Sequence, residues 1–227
     1  MKPVYEQIID ELKKSSREDL KKFNAKIINT SLPILGVKTP SLRKIADRVF
    51  RENPKEFLKD CKFEYFEDTL IYGLIIAKLP FDEFVERLDS YLSKCDSWAH
   101  IDSFVPRIKC TKKEKERFFE YLKVNLKKFE GYKLRFIIVS LMVFYLSEEN
   151  LDFIFETCEN YDGKGYYTDM AIAWLISVAF VKFEEQTFNF IKNSKLSTFT
   201  HNKAISKIRD SYRVTKENKV LLKNFLK

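Results

Sequence analysis

Four residues in this 227-residue chain have types and spacing that suggest shared chemistry: Trp98, Asp102, Arg135 and Trp174. In CDSWAHIDSFVP, Trp98 and Asp102 are four apart, so on a helix one stands above the other on a common face. Asp96 or Ser97 is placed to cap that helix, and Pro106 limits its straight continuation. In FEGYKLRFIIVSLMVFYL, Arg135 stands at the entrance of an apolar helix, where a guanidinium is costly unless a carboxylate or phosphate meets it. Asp102 on the preceding helix layer is the nearest carboxylate candidate, and a phosphate oxygen suits the planar fork equally well. Trp174 is expected mid-helix, with Ala171 and Ala173 leaving room beside the indole and Tyr166 and Tyr167 able to stack at the helix mouth. Each residue also has a plainer reading. The indoles fill the core, Asp102 is a surface or salt-bridged acid, and Arg135 belongs to an ordinary intramolecular ion pair.

A second set of residues is cationic. LGVKTPSLRKIADR places Lys38, Thr39, Arg43 and Lys44 around a helix start, where free backbone N–H groups favour an anion. Towards the other end, Lys203, Lys207, Arg209, Arg213, Lys216 and Lys219 are interleaved with Thr200, Ser206, Ser211 and Tyr212. Cations mixed with hydroxyls suit phosphate contacts, although a solvated helix face has the same composition. With 41 Lys and Arg against 33 Asp and Glu, the chain carries a formal charge of +8, which steers polyanions towards it or simply maintains solubility.

Other chemistries are disfavoured. Cys61, Cys95, Cys110 and Cys158 form no CxxC pair, and His100 and His201 are the only histidines. No metal site, histidine-based triad or cofactor is therefore expected. Scattered thiols in a domain of this size are expected to be reduced, which points to the cytoplasm. The first residues, MKPVYEQIIDELKK, are amphipathic and include acids, unlike a signal peptide. No apolar run reaches the length of a membrane span, so no membrane partner is expected.

The elements that must position these residues read as helices. Only 5 Gly and 6 Pro are present, too few for a protein built from many β-turns. Val4, Ile8, Ile9 and Leu12 line a first helix, and a second segment starts at Arg17. Leu42, Ile45, Ala46, Val49 and Phe50 line another, with Pro40 at its start. Further helices are expected near 63–79, 81–94, 97–109, 112–128, 131–146, 148–159, 165–181, 183–193, 198–209 and 215–226. The runs FIIVSLMVFYL and MAIAWLISVAFV have β-propensity, but their length suits helices covered on most sides. Short linkers and no composition break predict one domain over 1–227: an all-α, α-α superhelix of HEAT-like repeats with a basic concave face. Trp98, Arg135 and Trp174 lie 37 and 39 residues apart, close to the period of such a repeat.

Five segments in order (LPILGVKTPSLRKIADRV, CDSWAHIDSF, YKLRFIIVSLMVFYL, MAIAWLISVAFVKF and FTHNKAISKIRDSYRVTKE) resemble the signature segments of the AlkD-like DNA alkylation repair family. The resemblance spans nearly the whole chain. It implies a HEAT-like solenoid that cradles duplex DNA and a DNA glycosylase that releases cationic N3- and N7-alkylated purines without base flipping. It makes Asp102 the catalytic carboxylate, has Trp98 and Trp174 flank the lesion's deoxyribose, and sets Arg135 to hold the backbone beside them. Lys38, Thr39, Arg43, Lys203, Lys207, Arg209 and Arg213 become DNA contacts, with duplex DNA or another nucleic acid as partner and the protein acting as a monomer. One departure stands out. Active relatives carry a helix just before the LGV-type turn that enters the minor groove, whereas NAKIINTSLPILG, interrupted by Thr30, Ser31 and Pro33, reads as a loop or one broken turn. This is similar to a branch that keeps the fold with weak DNA binding and no detected excision. A non-catalytic nucleic-acid-binding member is thus the alternative.

Overall fold

Low glycine and proline content and long apolar runs leave the chain little but helix, and the computed structural model, which describes residues 2–227, has no strand among those residues. The chain divides into two compact units, Met1–Glu120 and Tyr121–Lys227.

The first unit contains α1 (Val4–Lys14), α2 (Glu18–Ile27), α3 (Thr39–Glu52), α4 (Pro54–Asp60), α5 (Phe66–Ile76), α6 (Phe81–Leu92) and α7 (Trp98–Phe104). Helix α8 (Lys115–Asn125) starts in this unit. A central row forms where α3 packs on α5 and α5 packs on α7. Every residue of α5 is buried, the apolar run Leu70–Ile76 as its composition requires and Glu67, Asp68 and Thr69 of the first turn through hydrogen bonds. The covering helices are one-sided: α6 buries Phe84, Leu88, Tyr91 and Leu92, a stripe at helical spacing. Each such side chain taken out of water contributes about 1.5–3 kcal/mol before the loss of chain entropy is counted. Tyr91 is fully buried above Gly73, where a Cβ would meet the phenol oxygen at 2.2 Å, so no larger residue fits there.

The second unit contains α9 (Gly131–Ser140), α10 (Leu151–Tyr161), α11 (Tyr166–Lys182), α12 (Glu184–Asn193), α13 (Thr198–Asp210) and α14 (Lys216–Leu222). It repeats the plan, with α11 packed between α9 and α13, and α12 and α14 lying outside. Both apolar runs are helical, as their length demands. FIIVSLMVFYL is not one regular helix, however: after Ser140 the backbone widens into a π-type turn over Leu141–Tyr145.

The expected helices are present, with shifted ends. The one expected over 97–109 stops at Phe104, and Pro106 lies in the tighter turn that follows. Helix α4 went unpredicted because it has seven residues and buries only Phe57 and Leu58, too little to produce a periodic signal. Among the described residues, no helix is long and apolar enough to cross a membrane. The four cysteines are unbridged.

Candidate functional site

Helix α7 is buried along much of its surface. Ala99, His100, Ile101 and Phe104 are buried, and only Trp98, Asp102 and Ser103 reach towards solvent. The expected shared face of Trp98 and Asp102 is therefore the open face of this helix. Ser97 is the cap, its side chain accepting from the Ala99 N–H at 3.2 Å.

Asp96, the other capping candidate, has a different task. It accepts from the Thr30 hydroxyl at 2.6 Å and from the Ser31 backbone N–H and hydroxyl at 2.6 and 2.7 Å. Partial burial pushes the Asp96 carboxyl up, but the Thr30 and Ser31 hydrogen bonds outweigh that push and hold it below the usual range. The Trp98 indole N–H points the same way, donating to the Ile27 carbonyl at 3.4 Å. His100 lies beneath, fully buried, with Nε2 3.1 Å from the Phe66 carbonyl and Nδ1 3.7 Å from Asp96. Burial pushes its pKa down to about 4, so the ring is neutral at physiological pH.

The Asp96 bonds hold residues 28–38, where no helix forms, and the Trp98 bond reaches Ile27 just before them. The NAKI of the stretch read as a broken turn is the last turn of α2, and the rest is irregular. The loop is fixed at both ends. Near its C-terminal end, the buried Glu67 carboxylate accepts from the backbone N–H groups of Leu35, Gly36 and Val37 at 2.9, 2.7 and 3.3 Å. Burial raises the Glu67 pKa, and those three donors partly counter the rise. Gly36, at φ +82°, approaches the Arg17 carbonyl and the Lys21 N–H so closely that a Cβ would lie 2.5 and 2.6 Å from them. The glycine of the LGV turn is therefore dictated by both conformation and space.

In the second unit, Arg135 is buried in α9 at 5% exposure, and its Nη1 donates to the Tyr167 carbonyl at 2.6 Å. The expectation that this guanidinium needs a partner is met, in part by a backbone carbonyl that sequence reasoning did not anticipate. Tyr167 begins the one stripe of α11 that is incompletely buried, continuing through Met170, Trp174, Val178 and Val181 at helical spacing. Trp174 thus lies two turns beyond the carbonyl that Arg135 meets. Ala171 and Ala173 are buried at 1% and 0% exposure on the sides of α11 that pack. At the start of α11, Tyr167 packs against Tyr132 and Tyr166, with ring centroids 5.3 and 5.1 Å away, and Tyr166 also reaches Phe199.

The candidate phosphate contacts fall in two places. Lys38 occupies the cap position of α3, Thr39 begins the helix and Arg43 is one turn in. On α13, Lys203, Lys207 and Arg209 are half-buried, and Arg213 is exposed in the turn that follows. Sequence reasoning missed Lys78, Arg107 and Lys109, which share a cavity with Arg43. They come from separate elements and have no common local pattern. Among the described residues, no group of three His, Cys, Asp or Glu side chains is placed to hold a metal ion.

The sequence model of one protein family, described as DNA alkylation repair enzyme, matches residues 8–208. No curated protein matches the chain.

Proposed function

The chain belongs to the DNA alkylation repair enzyme family, and on that premise we propose that it is a DNA glycosylase that hydrolyses the N-glycosidic bond of cationic N3- and N7-alkylated purines in duplex DNA, without base flipping. The observation that carries this reading is the open stripe of α7, where Trp98 and Asp102 are presented from an otherwise buried helix.

An alkylated purine already bears a positive charge, so it leaves as a neutral base when the C1′–N bond breaks and needs no strong general acid. The electron pair departs with the base and the sugar becomes an oxocarbenium. The fixed Asp102 carboxylate stabilises that cation and orients the water that adds to C1′, whose released proton passes to the carboxylate or solvent. Trp98 and Trp174 flank the deoxyribose and add cation–π attraction of about 0.5–2 kcal/mol each. Arg135 holds the backbone beside the lesion, and Lys38, Thr39, Arg43, Lys203, Lys207, Arg209 and Arg213 take phosphates. No cofactor or metal enters these steps. In this reading the chain is a single HEAT-like repeat domain that works as a monomer in the cytoplasm.

The fixed loop at residues 28–38 supports a second reading. A non-catalytic member that binds nucleic acid would keep these residues by descent and lack the minor-groove helix. One experiment separates the two. Purified protein is incubated with methylated duplex DNA and released 7-methylguanine and 3-methyladenine are measured. Release that Asp102→Asn abolishes is the expected result. Salt-sensitive duplex binding without release, even at high protein excess, would replace the enzyme reading with the binding one.

A further inference from the structure

In the first unit, Arg43 and Asp47 of α3, Leu74 of α5, Lys78 just beyond α5, and Arg107 and Lys109 after α7 line a cavity of about 240 Å³. It lies below the roughly 300–1,000 Å³ of pockets that take drug-sized organic ligands. Four of its six lining side chains are cations and one is an acid.

The acid does not oppose an anion there. Lys78 Nζ lies 2.5 Å from Asp47 Oδ1, and its side chain is only 11% exposed. This hydrogen bond, with the fields of Lys109 and Arg51 added, holds the Asp47 carboxyl below its usual range. The Phe50 ring also meets Lys78, its centroid 5.4 Å from Nζ. With that pair neutralised, Arg43, Arg107 and Lys109 remain. Among the described residues, none of the three is in a salt bridge, and Arg43 Nε is buried without a hydrogen-bond partner. A buried donor left unmade is unfavourable, and a guanidinium edge of this kind is met well by a phosphate oxygen. The backbone holds the cations in register, because the Lys109 N–H donates to the Ala77 carbonyl at 2.8 Å and so ties the chain after α7 to the end of α5.

We propose that this cavity is a binding site for a single phosphate group, whose oxygens are received by Arg43, Arg107 and Lys109 around the Lys78–Asp47 pair. The group is either a phosphodiester of a nucleic-acid strand or free inorganic phosphate. Only the first source rests on the function proposed above.

The test uses the full chain, Arg43→Gln, Arg107→Gln and, as a charge-matched control, Lys55→Gln on α4 outside the cavity. Duplex affinity is measured against salt, and thermal melts are recorded with and without inorganic phosphate. Melts without ligand establish that each variant is folded, and the exposed Arg107 keeps the test open should Arg43→Gln fold poorly. For a strand phosphodiester, each cavity variant weakens duplex binding about three- to tenfold and makes the slope of log K against log salt shallower by about 0.9, while Lys55→Gln does neither. For free phosphate, the wild type shows a saturable rise in melting temperature that the cavity variants lose, and their duplex binding is unchanged. Wild type that ignores the duplex but shows this rise keeps the cavity and removes the nucleic-acid reading. Cavity variants that match wild type in every measurement overturn the cavity and remove Arg43 from the proposed DNA contacts, while the rest of that reading stays in place.

Discussion

The helix that carries the candidate acid and the helices that carry the candidate guanidinium and second indole are built differently. Asp102 and Trp98 lie on the open side of a seven-residue helix that packs on α5 and is further located by polar bonds: the Ser97 cap, Asp96 to Thr30 and Ser31, and His100 to the Phe66 carbonyl. Arg135 and Trp174 lie on helices of ten and seventeen residues, held by apolar packing over most of their surface. Polar bonds set the register of α7 without covering Trp98 and Asp102, whereas packing around Arg135 fixes position and stability together. Substitutions at the open positions Trp98 and Asp102 of α7 are thus expected to change function with little cost to folding, and those at the buried Arg135 of α9 to do both.

The largest expected effect isolates function on α7. Asp102→Asn should lower excision by about 10²–10³-fold, the scale of one transition-state electrostatic contact, while moving stability by less than about 1 kcal/mol. A comparable loss of stability would place Asp102 in the fold and break the contrast. Next, Arg135→Ala should cost about 3 kcal/mol in denaturant unfolding, because it empties a buried volume and leaves the Tyr167 carbonyl without this donor. A loss below about 1 kcal/mol would show that α9 does not depend on this guanidinium.

The third prediction concerns pH. His100 has a folded pKa of about 4 against 6.5 unfolded, so between those values the unfolded chain binds more protons and stability falls as pH drops. Glu67 and Asp68, whose pKa values are raised by burial, act in the opposite direction above the ordinary carboxylate range. The comparison with His100→Gln separates these contributions. Relative to wild type, the variant should gain roughly 2–3 kcal/mol between about pH 6.5 and 4, and parallel curves would remove His100 as the cause. Smaller still, Asp96→Ala should cost about 1–2 kcal/mol and speed hydrogen exchange in residues 30–32, since three acceptor contacts are lost. Ser97→Ala should cost about 1 kcal/mol through the lost cap. If either change also lowers excision, the polar bonds around α7 position Asp102 as well as the loop.

Much of this was legible one helix at a time. The four-residue step from Trp98 to Asp102 placed both on one face, Ser97 had the chemistry of a cap, and the long apolar runs required helices buried on most sides. These follow from the 3.6-residue period and backbone valence, which act over a single turn. The π-type turn after Ser140 and the short α4 escaped because neither alters the local pattern enough to be seen.

Only the tertiary structure decided which distant groups meet. Asp96 answers Thr30 and Ser31 some 65 residues away, Glu67 closes on the LGV turn, Arg135 finds the Tyr167 carbonyl, and Arg43 shares a cavity with Lys78, Arg107 and Lys109. A single cation or acid has no periodicity to reveal its partner. Its neighbours are set when apolar faces on separate helices pack, and that packing depends on the shape of the whole row.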